Sequence, residues 1–377
     1  AKCRKSAIGV RRIVVRILYF APIPYNGLKQ RPQYIAKMLA QQYEVYYIDP
    51  TISILKYIFG RDHNFRNIRY NVLPNLHVIR LSGIATMYRS IELFDFLHIN
   101  TISERIQLRS LISHCDLIWV GYPLWYYVIY LMRDKKFIYD KMDDNTLIIQ
   151  NRLLRRLIFQ VEPKIINRAT CVFVTAQQFY DDITKQNPRT YLVPNAVSEN
   201  TPLLRQKKPN PEKKIFGYVG TISHWFDLDA IRAILNADEK NYVVLAGPNE
   251  LPKIIHPRLS YFGIVPHEKV PELIQSFDVC LYTFRQTSLL DTIDPVKIYE
   301  YLAQNKAVLA VKSRETEKFG DLLSLYSNIE DLKLLAQKNW AQPFHTDDEC
   351  QQFVAQNCWK VRGDIINHKL EEIISGL

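Results

Sequence analysis

The chain has 377 residues, too many for one ordinary core, so two domains are expected. Apolar residues make up 47% and charged residues 23%, the balance of a soluble globular protein. A formal net charge of +11 and a pI near 9.2 imply an anionic partner: nucleic acid, a membrane surface or phosphorylated small molecules. Six scattered cysteines without a C-x-x-C argue against a disulfide frame or a zinc site, and they read as reduced thiols. "AKCRKSAIGVRRIVV" runs from basic residues into a strand pattern with no small-residue cleavage site, so no signal peptide is expected. The longest uncharged run, 117–132, is shorter than a spanning helix and holds Gly121 and Pro123.

The first half opens with the β-branched run "RRIVVRILYF", the loop "APIPYNGLKQRPQ", the helix pattern "QYIAKMLAQQ" and a second strand, "YEVYYIDP". That is the start of a doubly wound sheet. Further strands are predicted at 76–81, 115–120, 136–141, 170–175 and 190–194, with helices alternating among the later ones. Around 199–214 Pro, Asn and Lys replace the apolar periodicity, which marks a linker. A second series follows: strands in "KIFGYVG", "NYVVLAG", "LSYFGIV", "DVCLYTF" and "KAVLAVK", and helices over "LDAIRAILNA", "EKVPELIQSF" and from 295. The last thirty or so residues read as an amphipathic helix. The whole is α/β, two open parallel sheets, and ligands of such sheets bind beyond the carboxyl ends of the strands.

The stretch "TIDPVKIYEYLAQNKAVLAVK", 292–312, carries the sharpest chemistry. Asp294 stands where an N-cap is expected and Pro295 at the first helical position. Lys297 in the first turn and Glu300 three residues on share one helix face. A lysine and free backbone N–H groups suit a diphosphate, and the carboxylate suits two ribose hydroxyls. A solvated Lys–Glu pair is the plainer alternative. "GYVGTISHWFD" is a strand and a short loop with Gly220 and Thr221, where small residues let a phosphate approach the backbone. It lacks G-x-G-x-x-G, so no dinucleotide fingerprint is met. "AGPN" ends the next strand similarly, and "YTFRQTSLLDTIDP" offers Arg285 to an anion. In the first half "FIYDKMDDN" ends a strand with Asp140, Asp143 and Asp144, candidates for a general base or simple helix caps. Arg31 opens the first helix and suits an anionic substrate as well as a surface position.

Together "VGTISHWFDLDAI", "AGP", "YFGIVPHEKVPELIQSFDVCLYTF", "DPVKIYEYLAQNKAVLAV", "VPNAV", "RPQYIAKMLA" and "NCWKVR" resemble GT-B glycosyltransferases. The chain is most similar to bacterial teichuronic-acid-type polysaccharide enzymes, with a weaker likeness to the xanthan glucuronosyltransferase. The resemblance implies two Rossmann-like domains facing across a cleft: 1–198 for the acceptor, 199–349 for a nucleotide-sugar donor, and a tail, 350–377, crossing back onto the first with Trp359 packed in the crossover. It implies transfer of a sugar, from a UDP-sugar by preference, to a hydroxyl of a glycan or polyprenyl-linked acceptor. No cofactor and no metal are implied, because protein cations stabilise the leaving diphosphate.

By position, Glu300 matches the ribose-binding glutamate, Lys297 a phosphate contact, and Gly220 and Thr221 the loop under the diphosphate. Arg285 and Asp294 fall on the donor side, Arg31 and Asp144 on the acceptor side, and Asp143 at the base position. Many retaining members carry two glutamates eight positions apart, but eight before Glu300 stands Thr292, with Asp291 and Asp294 the nearest acids.

The resemblance also implies a cytoplasmic protein, peripheral on the inner face of the membrane. "SILKYIFGRDHNFRNIRY" (53–70) and "NRLLRRLIFQ" (151–160) mix basic and large apolar residues as a segment lying on an anionic bilayer would, or as an ordinary helix packed on a sheet would. Competing readings are a non-hydrolysing sugar-nucleotide epimerase, a non-catalytic glycan-binding module and a basic nucleic-acid binder. The last lacks any RNP, zinc-finger or helix-turn-helix signature, so no nucleic-acid partner is expected.

Overall fold

A computed structural model describes residues 15–53 except 28, then 58, 67–83, 99–199 except 133, then 201, 203 and 210–375. The first basic stretch, most of the linker and most of 53–70 lie outside these residues. The chain divides into two compact units, Ala1–Tyr139 with Arg168–Thr170, and Asp140–Asn167 with Cys171–Leu377.

An eight-stranded sheet contains β1 (Arg16–Phe20), β2 (Glu44–Ser53), β3 (Ile68–Leu73), β4 (Leu76–Gly83), β5 (Leu117–Val120), β6 (Lys136–Lys141), β7 (Cys171–Val174) and β8 (Thr190–Leu192). Its order is β3-β4-β2-β1-β5-β6-β7-β8. β1 pairs in parallel with β2 and β5, while β3 runs antiparallel to β4. Ile17, Leu18, Tyr19 and Phe20 are fully buried, as a central strand covered on both faces requires. The helices of this half are α1 (Arg31–Leu39), α2 (Ile99–His114), α3 (Tyr126–Ile129), α4 (Asn145–Ile148), α5 (Arg152–Arg168) and α6 (Gln177–Ile183).

A six-stranded sheet holds β9 (Lys214–Val219), β10 (Asn241–Ala246), β11 (Leu259–Gly263), β12 (Val279–Tyr282), β13 (Ala307–Val311) and β14 (Ser324–Tyr326). The order β11-β10-β9-β12-β13-β14, parallel throughout, is the 3-2-1-4-5-6 order of a Rossmann-type sheet. Between its strands lie α7 (Leu228–Ala237), α8 (Val270–Gln275), α9 (Val296–Leu302) and α10 (Arg314–Glu317), followed by α11 (Ile329–Gln337), α12 (Asp347–Gln356) and α13 (Trp359–Ile374). Asp227 caps α7 through the N–H groups of Asp229 and Ala230. Leu228, Ile231, Ile234 and Leu235 then follow at helical spacing and enter the core with Phe216, Val243 and Leu281. Among the described residues no helix is long and apolar enough to cross a membrane. The five described cysteines are free and buried.

The second unit is tied across the stretch after β8 by two sets of bonds. On one side Cys358 bridges Val197, Trp359 N–H donates to the Val197 carbonyl at 3.1 Å, and Lys369 lies over the Tyr191 ring. Trp359 is buried there, a packing residue. On the other side stands Asp294, expected as an N-cap. The cap position belongs instead to Pro295, and α9 begins at Val296. The Asp294 carboxylate accepts from the Asn195 N–H and the Lys318 ammonium, with the Tyr299 hydroxyl at 3.3 Å. An ammonium is a stronger partner than a helix N–H, so it wins the carboxylate. Lys318 also donates to Glu315 at 2.7 Å, and Glu315 accepts the Gln177 N–H at 2.7 Å.

Asp294→Ala should lower stability by roughly 3 kcal/mol, because Lys318 and the Asn195 N–H lose a buried acceptor. A shift of the urea midpoint worth less than about 1 kcal/mol would show that the network is not holding these segments.

Within the first unit, Asp49 is buried near the end of β2 and accepts the Tyr25 N–H at 2.8 Å. Burial pushes its carboxyl up to about 6, against the opposing pull of that bond and of Arg80. In the unfolded chain the group returns to roughly 4. Folding therefore takes up a proton between those values. Stability is highest below pH 4 as far as this group is concerned, and it falls by about 3 kcal/mol as pH rises through 6. Asp49→Asn should flatten that part of the pH profile and stabilise the protein at pH 7; unfolding midpoints from pH 4 to 7 test it.

Candidate functional site

In the second unit, three loops at the carboxyl end of the six-stranded sheet are bonded edge to edge. After β9, Gly220 N–H donates to Ala246 and Ile222 N–H to Pro248, both at 2.8 Å. The Glu250 N–H returns to Ile222 at 2.9 Å, and Ser223 Oγ donates to Glu250 at 2.5 Å. On the other flank, Asp227 N–H donates to Thr283 and Arg285 N–H to Trp225. The result is a backbone ledge over β10, β9 and β12. Gly247 has φ +130°, and a methyl there would overlap the Gly220 carbonyl. A Cβ on Gly220 would lie 2.6 Å from the Tyr218 hydroxyl, which donates to the Thr221 carbonyl at 3.1 Å. A side chain at Gly247 would meet backbone, and one at Gly220 the Tyr218 ring, so both positions keep the ledge free of side chains, as a close approach by a phosphate requires.

α9 stands beside this ledge, because the Tyr301 hydroxyl accepts the Val219 N–H at 3.1 Å. On α9 Lys297 and Glu300 form an ion pair at 2.8 Å, with side chains 30% and 25% exposed. The Arg285 side chain is exposed. Thr292, where a second glutamate would fall, is buried and donates its hydroxyl to Leu289 at 2.8 Å.

The segment carrying Asp143 belongs to the same unit. Thr175 Oγ1 donates to the Met142 carbonyl at 2.7 Å, and Lys141 Nζ reaches the Asp143 carbonyl at 3.5 Å. Lys141 is buried and paired with Glu162 at 2.7 Å, its ammonium over the Phe179 ring. Asp144 caps α4 through the Thr146 N–H at 2.9 Å. At the far end Gln150 Nε2 meets His224 Nδ1 at 3.3 Å, joining this segment to the β9 loop. Asp143 itself is exposed.

Tyr282, at the end of β12, links these groups electrostatically. Burial first, then Tyr218, Asp294, Glu315 and Asp143, raise its hydroxyl well above the ordinary tyrosine value. Asp143 and Asp294 therefore lie within electrostatic reach of one buried group. The Tyr282 hydroxyl and Thr283 Oγ1 are buried and have no hydrogen-bond partner among the described residues. Burial pulls the Lys318 ammonium down, but Asp294, Tyr299 and Glu315 outweigh it and raise it above the ordinary lysine value.

The structure thus gathers Gly220, Thr221, Arg285, Lys297 and Glu300 around the ledge. Asp294 sits behind them, with its carboxylate already engaged. Arg31 belongs to the first unit, buried in the opening turn of α1. Residue spacing did not single out Lys318, Glu315, Glu250, Gln150 or His224. His224 lies within the flagged loop 217–227, and Glu250 and Gln150 lie just beyond the flagged stretches 246–249 and 137–145; Lys318 and Glu315 look like any solvent-facing helix.

No family model matches the sequence, and no curated relative does. Among solved structures the chain is similar to Anabaena Alr3699/HepE in complex with UDP and glucose, at 13% identity and a TM-score of 0.59. That match covers 96% of this chain and 100% of the other. It is also similar to an E. coli trehalose-6-phosphate protein bound with UDP-2-fluoro glucose, at 9% identity and a TM-score of 0.69, covering 94% and 98%. A third is the trehalose 6-phosphate synthase of Burkholderia multivorans, at 11% identity and 0.64, covering 96% and 99%. At such low identity the likeness concerns the fold: two Rossmann-like parallel sheets, the fold of GT-B glycosyltransferases.

Proposed function

We propose that this chain is a glycosyltransferase that moves a sugar from a nucleotide-sugar donor, by preference a UDP-sugar, to a hydroxyl of a glycan or polyprenyl-linked acceptor. The acceptor is met at an anionic membrane surface, in the synthesis of a surface polysaccharide of the teichuronic-acid type. The supporting observation is the glycine ledge of Gly220 and Gly247 beside the paired Lys297 and Glu300. Neighbours of the same fold were solved with UDP-glucose or an analogue, which favours a uridine nucleotide.

In this reading the diphosphate lies on the ledge near Thr221. Lys297 leaves Glu300 for the phosphate, and Glu300 turns to the ribose hydroxyls. Exchanging a partly exposed ion pair for two ligand contacts costs little. Lys297 and Arg285 supply the positive charge that stabilises the leaving diphosphate, with no metal required. Asp143 takes the proton of the acceptor hydroxyl as the new bond forms. Asp144 serves the acceptor side through the cap that fixes the turn after Asp143.

The test is a thermal-shift screen with UDP-, GDP-, dTDP- and ADP-sugars. A donor at roughly a hundredfold excess over its Kd should stabilise by about 2.7 kcal/mol. Failure of all four classes would overturn the donor site. Glu300→Ala should weaken the effective donor at least about tenfold, a loss of roughly 1.4 kcal/mol in binding, while moving the unliganded midpoint by less than about 0.5 kcal/mol. Equal affinity in mutant and wild type would remove Glu300 from the site. Asp143→Asn should keep the nucleotide shift and cut transfer by about a hundredfold or more. Undiminished turnover would exclude it as the base.

A further inference from the structure

α5 has two working faces, and the core explains only one. Asn151 starts the helix by accepting the Leu153 and Leu154 N–H groups at 2.9 and 3.1 Å. Leu154, Ile158, Val161, Ile165 and Ile166 form a buried stripe at helical spacing. Phe159 and Leu153 point the other way, 72% and 59% exposed. Around them Arg152, Arg155, Arg156 and Lys164 are exposed too. At 3.6 residues per turn all six occupy one continuous arc. The helix's single acid, Glu162, is turned inward against Lys141. None of the four cations has an ion-pair partner among the described residues. Elsewhere on the surface Lys185, Arg232, Lys333 and Lys369 each pair with an acid three residues away. The α5 face is therefore an uncompensated patch of positive charge that also shows a phenylalanine and a leucine to water.

We propose that this face docks on an anionic lipid surface, with Phe159 and Leu153 in the interface and the arginines on the headgroups. The inference deepens the reading above, since it names how a lipid-linked acceptor is reached, and it rests on that reading for its purpose. Unpaired cations draw the protein to the negative surface, and two large apolar side chains find hydrocarbon within the first few ångströms. A nucleic-acid backbone would satisfy the cations and leave Leu153 in water.

The experiment is co-sedimentation with phosphatidylcholine vesicles containing about one-third phosphatidylglycerol, at roughly 0.1 M salt, against pure phosphatidylcholine. Wild type should pellet with the anionic vesicles and stay in solution with the neutral ones. Each basic residue near the surface contributes about fivefold, so Arg155→Glu with Arg156→Glu should weaken binding by about 25-fold or more. Phe159→Ser should weaken it by about tenfold. Lys185→Glu with Lys333→Glu, the same charge change elsewhere, should leave it within about twofold of wild type. An equal loss in that control, or no loss in the α5 variants, would overturn the assignment. So would binding to random duplex DNA without binding to vesicles. The variants should keep the wild-type thermal midpoint and nucleotide shift. Vesicle binding by a protein that ignores every nucleotide would leave the docking face standing and sink the donor reading.

Discussion

One ammonium, that of Lys318, ties together several remote segments of the second unit. Lys318 lies between Asp294 and Glu315, whose side chains are 0% and 3% exposed. Two buried carboxylates against one cation leave a negative charge under cover, which a dry interior does not tolerate unaided. The Asn195 and Gln177 N–H groups supply the remaining donors. Four stretches remote in sequence thus meet on one charge: the segment after β8, the start of α6, the residue before α9, and α10. A network of this kind contributes little against a well-packed apolar substitute, but removing one member leaves the others stranded. Its consequence reaches the proposed donor site, because Asp294 and Tyr299 fix the start of α9 and so the positions of Lys297 and Glu300.

The proposed site joins a rigid part to a labile one. The ledge is backbone bonded to backbone, and its glycines have no room for a side chain, so it is set before any ligand arrives. The Lys297–Glu300 pair is partly exposed, and pairs of this kind near the surface contribute about 1 kcal/mol or less. The backbone holds its shape while the side chains can change partners. That division suits a ligand whose phosphate rests on a fixed surface and whose ribose is recognised by a carboxylate that must first be released.

Much of the second sheet was legible because its strands are short apolar runs closed by Gly, Pro or Asn, and "LDAIRAILNA" coincides with α7 residue for residue. β3 was missed although "IRYNVL" alternates apolar and polar residues: none of its residues is buried, so it carries no core signal, and it pairs antiparallel with β4. Asp294 misled for a related reason. Asp-Pro before an apolar run is a sound local cap signal, but capping competes with whatever else can reach the carboxylate. Here Asn195 is 99 residues away in sequence and Lys318 is 24, and a window of a few residues sees neither. Lys297 and Glu300 were readable as neighbours on a helix face, and the Lys–Glu pair that their spacing also allowed is the arrangement the structure shows.

Electrostatics also orients the proposed donor. Asp143, Asp294 and Glu315 all raise the Tyr282 hydroxyl, so three carboxylates share that neighbourhood, with Lys318 against Asp294 and Glu315 and the Lys141 ammonium beside the Asp143 carbonyl. That leaves a negative region behind the end of β12. A diphosphate turned toward it would be repelled. The same diphosphate laid over the ledge would meet no carboxylate there and, at the rim, the cations of Lys297 and Arg285. The orientation needs no contact specific to one sugar; it follows from placing anions away from anions in a medium where charges act over several ångströms.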